Sequence, residues 1–484
     1  MNFWFSLLID FAIILIFLLG IGQFKAPKSA RRGNLTAALA LALAGIAIVM
    51  KHRILEPHIV IIALMAGSVV GWRIAMRVNM IQIPAMVAFQ HGAGGIAAFL
   101  VSFVELTRYV TPGISIGKVS GLLGLVIGAM TFSGSMIASG KLSNVVRQTP
   151  WLLPNHNWWT AVLMVLIIIF SGTASAHSEG QGVIYYLVIL VILSALLGVV
   201  FSIRIGGADM PVLISFLNAT AGLAAAFCGV IIENRLLVAC GATVAASGSI
   251  LTLVMCRAMN RNFLGILAGS QGKPTNQDQM ISKDRTRPEP ATSMVNEGSL
   301  SKEALEKDPF SVAIETAKEA KRVIIVPGYG MALAQAQFEV KELANLLEQS
   351  GKQVKFAIHP VAGRMPGHMN VLLAEAEVPY DKLYEMNEIN DEFKETDLVI
   401  IIGACDVVNP AATRMEETPI SGMPILMTHE AKSVVVCNFD EKPGYSGVEN
   451  PLYMETHAIL LLGDAKDTLD RLIRGISADS GISQ

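Results

Sequence analysis

A polytopic α-helical membrane bundle of about nine spans, followed by an α/β domain built on a doubly wound parallel sheet, is the architecture predicted by this sequence of 484 residues. Three observations carry that expectation. Hydrophobic residues make up 52% of the chain and charged residues 16%, with a mean hydropathy of +0.52, which is too apolar for a soluble protein of this length. The long apolar runs are confined to roughly the first 265 residues. The last 180 or so alternate short β-branched runs with helical patterns. The expected domains are therefore a membrane domain over 1–265, a linker over 266–308 and an α/β domain over 309–484.

A hydrocarbon layer about 30 Å thick needs about 20 apolar residues per helix. Runs of that kind read near 4–24, 34–50, 57–76, 83–104, 116–140, 159–175, 183–203, 210–232 and 235–256. Several are rich in Gly, Ala and Ser (HGAGGIAA, GLLGLVIGAM, CGATVAASGSI), the composition that lets helices approach closely in lipid. The opening MNFWFSLLID has no basic stretch and no small-residue cleavage site follows it, so it reads as a retained first span rather than a signal peptide. Alternate loops carry Lys25, Lys28, Arg31 and Arg32, then Arg73 and Arg77, Lys141 and Arg147, Arg204, and Arg257 and Arg261. The other loops are poorer in cations, which places the N-terminus outside and the C-terminal domain in the cytoplasm.

Residues 268–308 are polar and contain Pro and Gly without apolar periodicity, the profile of a flexible linker. Beyond them RVIIVPG, QVKFAIH, DLVIIIG, MPILM, KSVVVCN and AILLLGD read as six buried parallel strands. The first runs into Gly328, Tyr329 and Gly330 and then MALAQAQFEVKELANLLEQ, an amphipathic helix. Glycines at such a turn let backbone approach a pyrophosphate at a helix N-terminus, although many α/β turns need a glycine with no ligand at all. The second strand ends at Ile358 and His359, where an NAD-type site offers an acid to the ribose hydroxyls; the missing acid points to NADP or to an unusual pose.

Other chemistries are excluded or unsupported. A net charge of −2 with no basic stripe argues against nucleic acid. Five cysteines, Cys228, Cys240, Cys256, Cys405 and Cys437, show neither a CxxC pair nor metal-ligand spacing, and read as small buried thiols. No Ser-His-Asp or Cys-His arrangement is suggested.

In the membrane, His91 falls near the middle of the fourth span, where an ionisable group commonly faces a cavity or relay and an imidazole can exchange protons near neutral pH. The plain alternative is a neutral histidine bonded to a neighbouring helix. Asn218, in the eighth span, can hold a water or bond His91, and serves as interhelical glue almost equally well. Ser135 is a weaker candidate, since a serine in a Gly-rich span is usually a packing residue. Asp209, beside Arg204 at the mouth of the eighth span, is a relay candidate or a simple helix cap.

The string HPVAGRMPGHMNVLLAEAEVPYD at 359–381, GACDVVNPAA at 403–412, GYSGVENPL at 444–452 and GDAKDTLD at 463–470 closely resembles the NADP(H)-binding, Rossmann-like domain of the beta subunit of proton-translocating nicotinamide nucleotide transhydrogenases. The likeness covers almost all of 322–475, and GGADMP at 206–211 with SFLNATAG around Asn218 resembles the same family's membrane domain. The resemblance implies hydride exchange between NAD(H) on a separate alpha subunit and NADP(H) on this chain, bound in a flipped orientation, coupled to proton passage through the bundle. It implies a homodimer of alpha-beta units in a lipid bilayer. It also implies nucleotide contacts from Tyr329, from Val361, Ala362, Gly363, Arg364, Met365 and Pro366, from Gly403, Ala404, Cys405, Asp406 and Val407, from Gly422 and Met423, from Gly444 and Tyr445, and from Asp464 and Ala465. Asp406 is the residue expected to link nucleotide state to protonation, with His91, Asn218, Ser135 and Asp209 as the membrane relay. One departure stands out: several family members have a Lys-Arg pair before the GY turn, suited to the 2′-phosphate, whereas this chain reads CNFDEKPGY. Asn438 and Phe439 take the pair's places, leaving Lys442, with Ser433 or Lys432, as candidates for the phosphate.

Two rival functions lack the sequence features they require. A channel or carrier gated by a nucleotide-sensing domain needs a selectivity filter or broken charged half-helices in the spans, and none is visible. A stand-alone membrane dehydrogenase needs a second nucleotide or quinone site, whereas a single dinucleotide fold is read here.

Overall fold

The computed structural model describes residues 3–23, 27–51, 57–78, 82–108, 115–143, 145–147, 151–176, 181–206, 209–259, 263–268, 308–365, 367–415, 418, 420–444 and 446–478. Most of the expected linker, 269–307, lies outside the described residues. The chain forms two compact units, Met1–Leu253 and Val254–Gln484.

Among the described residues nine helices are long and apolar enough to cross a membrane. They are α1 (Phe3–Gly22), α2 (Pro27–Lys51), α3 (Pro57–Ala75), α4 (Ile83–Arg108), α5 (Ile116–Leu142), α6 (His156–Ala176), α7 (Gln181–Ile203), α8 (Met210–Ile231) and α9 (Arg235–Ala258). Local chemistry sets their starts. The Ser115 side chain accepts from the Lys118 amide at 3.2 Å and caps α5, while Pro211 preorganises the first turn of α8.

Helices α5 and α8 are the innermost, and α5 packs on α4, α7 and α8. Water-driven burial contributes little between helices in lipid, so close backbone approach and polar pairs hold the bundle. A Cβ added to Gly95 of α4 would lie 2.8 Å from the Gly128 carbonyl of α5, and one on Gly128 would lie 2.9 Å from the Gly95 carbonyl. The two backbones therefore touch at this crossing. Buried hydroxyl pairs add to it, with Thr131 Oγ1 donating to Thr220 Oγ1 at 2.9 Å and Thr252 Oγ1 to Ser215 Oγ at 3.2 Å.

Lys141, counted among the loop cations from sequence, is instead in the last turn of α5 and only 1% exposed. Its Nζ donates to the carbonyls of Ser202, Ile203 and Ile205 at 3.1, 2.7 and 2.7 Å. The end of α7 leaves carbonyls without helical partners and carries partial negative charge, which is what an ammonium satisfies.

The second unit opens with short α10 (Phe263–Ala268) and, past the undescribed residues, α11 (Pro309–Glu319). Then follow β1 (Arg322–Pro327), α12 (Tyr329–Ala334), α13 (Gln337–Gln349), β2 (Gln353–Ile358), α14 (His368–Glu375), β3 (Leu383–Glu385), α15 (Met386–Ile389), β4 (Leu398–Ile402), α16 (Ala411–Arg414), β5 (Ser433–Asn438), β6 (Ala458–Leu462) and α17 (Ala465–Ala478). The sheet order is β3-β2-β1-β4-β5-β6 with every pairing parallel, so all six strands end at one edge. The order reverses between β1 and β4, the switch point where a doubly wound sheet opens a crevice. All five residues of β4 are fully buried, each aliphatic side chain contributing about 1.5–3 kcal/mol.

Two expectations are corrected. MPILM (423–427) is not a strand: Pro424 lacks a ladder donor, and the run packs as an extended segment whose Leu426 amide reaches the Val407 carbonyl at 2.9 Å. The short Leu383–Glu385 supplies the sixth strand instead. The helix after the glycine turn is also broken, because Gln335 adopts a left-handed conformation (φ 54°) that ends α12 before α13 begins.

Replacing Gly128 by Val is expected to force α4 and α5 apart and destabilise the membrane unit by at least the roughly 1–3 kcal/mol typical of overpacking. A drop in the thermal unfolding midpoint of the detergent-purified protein measures it; an unchanged midpoint contradicts the close crossing.

Candidate functional site

The nucleotide candidates converge on the C-terminal edge of the sheet. Gly328 and Gly330 bracket Tyr329 at the first turn of α12, and across the switch point Gly403 (φ +66°) ends β4. The Gly330 amide donates to the Gly403 carbonyl at 2.8 Å, and a Cβ at Gly328 would collide with the Gly403 carbonyl and Ala404. The two loops leave no room for side chains between them, and the amides of Gly328 and Gly403 are donated to the carbonyls of Ile402 and Cys437 at 2.8 and 2.9 Å, so bare backbone forms the floor of the crevice.

The β2 loop forms one wall. His359 is 1% exposed; its Nδ1 accepts from the Val361 amide at 3.2 Å, so Nε2 carries the hydrogen and donates to the Pro424 carbonyl at 2.8 Å. Ala362 donates its amide to the His359 carbonyl at 3.0 Å, and Gly363 (φ +99°) turns the chain. Arg364 donates its amide to His368 Nδ1 at 3.1 Å, which again leaves the hydrogen on Nε2. His368 Nε2 is buried with no partner among the described residues. The Arg364 guanidinium lies over the Tyr329 ring, 4.2 Å from its centre, and joins the β2 loop to the glycine turn. Met365 accepts from the His368 amide at 3.2 Å. Pro366 lies outside the described residues, as does Tyr445.

The β4 and β5 loops form the other wall. Asp406 is a half-buried carboxylate that takes the Ser446 hydroxyl at 2.6 Å and the Ser446 amide at 3.1 Å, with Gly444 packed against it. Burial pushes its pKa up, and the two Ser446 bonds pull the other way. Cys405 accepts through its carbonyl from Asn450 at 3.3 Å, and Val407 holds the 423–427 segment noted above. Gly422 donates to the Ala412 carbonyl at 2.9 Å and Met423 to that of Ile420 at 2.9 Å, so both sit in the loop behind the wall. Asp464 caps the amide of Lys466 at 2.9 Å where Ala465 begins α17.

Asn438 is turned inward: 7% exposed, it donates to the Ala404 carbonyl at 3.0 Å and the Tyr453 hydroxyl at 2.7 Å. Phe439 beside it is 77% exposed. Lys432 and Ser433 are corrected as phosphate candidates, because they start β5 at the opposite edge of the sheet and Lys432 is paired to Asp397 at 2.7 Å. Lys442 is at the correct edge and pairs with Asp440 at 3.1 Å.

In the membrane unit His91 is half-buried on α4 and Asn218 half-buried on α8. No hydrogen bond joins the two among the described residues. Ser135 is fully buried on α5, its hydroxyl has no described partner, and its Cβ would be 3.2 Å from a Cβ placed on Gly92, next to His91. Asp209 occupies the N-cap of α8 without its side chain bonding the first-turn amides, so simple capping does not account for it. Two ionisable groups were missed from sequence: Lys118, whose Nζ donates to the Ser175 carbonyl at 2.7 Å, and Asp10, 5% exposed in α1. An acid within nineteen apolar residues was the available signal for Asp10.

Comparison with known proteins bears on the whole chain. Residues 7–475 match the family model of the NAD(P) transhydrogenase beta subunit. Two curated relatives named NAD(P) transhydrogenase subunit beta, both from Rhodospirillum rubrum and one assigned to a particular strain, are 39% identical over 475 residues, covering 96% of this chain and 97% of their own length.

Two outcomes follow from this geometry. Gly403→Val is expected to wedge the β1 and β4 loops apart and lower dinucleotide affinity at least tenfold, measured by calorimetric titration; retained affinity contradicts the cradle. Burial lowers His359 and His368 from 6.5 to about 4. Their contribution to stability is therefore complete above pH 6.5 and lost as pH falls toward 4, by up to about 1.4 kcal/mol per pH unit for each. Hydrogen exchange at the β4 amides reads this in the full-length protein, and a slope unaltered by His359→Asn rules it out for His359.

Proposed function

The chain belongs to the NAD(P) transhydrogenase beta subunit family, and from that premise we propose that it binds NADP(H) and couples hydride exchange with NAD(H), held on a separate alpha subunit, to proton passage through the α1–α9 unit. The observation that carries the nucleotide half of this reading is the side-chain-free cradle of Gly328, Gly330 and Gly403 at the strand-order reversal. The cradle fits a pyrophosphate because a bulky anion can approach backbone that carries no side chain at the point where the strand order reverses.

The nicotinamide, when bound, supplies the hydride chemistry itself. The chain's own groups hold and orient. Tyr329 and Arg364, stacked on each other, flank the pyrophosphate position, and His368 Nε2 offers a buried donor on the same loop. Asp406, whose carboxyl is drawn toward protonation by burial and toward ionisation by Ser446, is poised to register the charge of its surroundings. In the membrane, His91 takes up and releases the translocated proton, Ser135 backs its turn, and Asn218 and Asp209 on α8 complete the path. Two states of the chain, biased by nucleotide on one side and protonation on the other, link the gradient to the redox balance. A proton crossing 100 mV carries about 2.3 kcal/mol, enough to shift such states about fortyfold. The working assembly is a homodimer of alpha-beta units in a bacterial inner membrane, with the C-terminal unit in the cytoplasm.

In liposomes containing both subunits, His91→Ala is expected to abolish internal acidification coupled to hydride exchange, while calorimetric NADP+ binding to the full chain stays within twofold. Acidification at the wild-type rate removes His91 from the path.

A further inference from the structure

A 2′-phosphate on the adenosine ribose is dianionic near neutral pH and is chosen over a plain hydroxyl by a free guanidinium or ammonium. The described residues of the segments leaving the C-terminal ends of β1, β2, β4, β5 and β6 (328–336, 359–365, 367, 403–415, 418, 420–427, 439–444, 446–450 and 463–467) hold four cations against six carboxylates. The cations are Arg364, Arg414, Lys442 and Lys466. Positions 366, 416, 417, 419 and 445, outside the described residues, are Pro, Glu, Glu, Pro and Tyr and add no cation.

Each of the four is already engaged. Arg414 is bonded to Glu455 at 3.0 Å, Lys466 to Glu339 at 2.9 Å and Lys442 to Asp440 at 3.1 Å. Arg364 stacks on Tyr329, in the place assigned above to the pyrophosphate, a group common to every nicotinamide dinucleotide. Glu339 and Glu455 are largely buried beneath Lys466 and Arg414, whereas the Lys442 pair is exposed on both sides and weak, so a phosphate could displace its carboxylate. A phosphate drawn to Lys442 would still face Asp440 and Glu441, the two residues that precede it in the turn after β5. The exposed Phe439 in the same turn offers an apolar face suited to an unphosphorylated ribose and adenine.

We propose that the nucleotide cradle of this chain does not select for the 2′-phosphate and accepts NAD(H) as well as NADP(H). The inference rests on the dinucleotide-binding reading given above and widens its substrate class. The charge balance holds for either orientation of the dinucleotide, because the counted segments lie on both sides of the strand-order reversal.

The test is calorimetric titration of the full-length wild-type chain in detergent with NAD+ and with NADP+, at low ionic strength where a cation that recognises phosphate acts most strongly. Dissociation constants that favour NADP+ by less than tenfold, or that favour NAD+, are the expected result. A preference for NADP+ of tenfold or more overturns the inference and leaves the dinucleotide site standing. Heat from neither nucleotide removes the dinucleotide site and the inference with it.

Discussion

The near-contact of Gly403 with Gly328 and Gly330 is the constraint around which the α/β unit is arranged. Two loops leave neighbouring parallel strands in opposite directions, and they can share one floor only where neither carries a side chain. From that floor the rest follows by short links. Ala404, next in line, receives the Asn438 amide, which in turn holds Tyr453; Asp406, two residues on, gathers Ser446 and Gly444. The acid side of the crevice is thus built outward from a single glycine, and the basic side enters through Arg364 on the opposite wall.

In the membrane unit α5 has the corresponding role. One helix carries the Gly128 crossing to α4, the Thr131 bond to α8, the Ser139 bond to the Ala85 carbonyl of α4, Ser135 behind the His91 turn, and Lys141 at the end of α7. Glycines and hydroxyls recur because in lipid they bring backbones together and leave few polar atoms stranded. The same helix that sets the packing therefore frames the histidine at its centre.

Much of this was legible in the sequence, for identifiable reasons. Nine apolar runs and a doubly wound sheet announce themselves through length and periodicity, which depend on local residue order alone. The loop residues at the crevice were legible only through likeness to a family, since nothing in the spacing of GACDVVNPAA says that its glycine must meet another glycine far away in the chain. The misreadings were tertiary. MPILM has the composition of a strand, yet Pro424 withholds a ladder donor and the carbonyl it leaves goes to His359. Gln335 sits in what reads as one continuous helix until its left-handed backbone divides it. Asn438 looked like a surface ligand because a pattern places it before an exposed turn, whereas the fold turns its amide inward.

The carbonyl clamp at Lys141 separates two moments in the life of the chain. Its acceptors lie 61 to 64 residues downstream, so while α5 emerges from the ribosome they have not yet been made. At that stage the ammonium is a hydrated cation at the membrane boundary, able to anchor its end of α5 on one side like any loop lysine. Once α7 arrives, the charge is drawn inward and becomes a fastener between helices. A topological signal is thereby converted into a structural joint, and biogenesis and final architecture draw on the same side chain in succession.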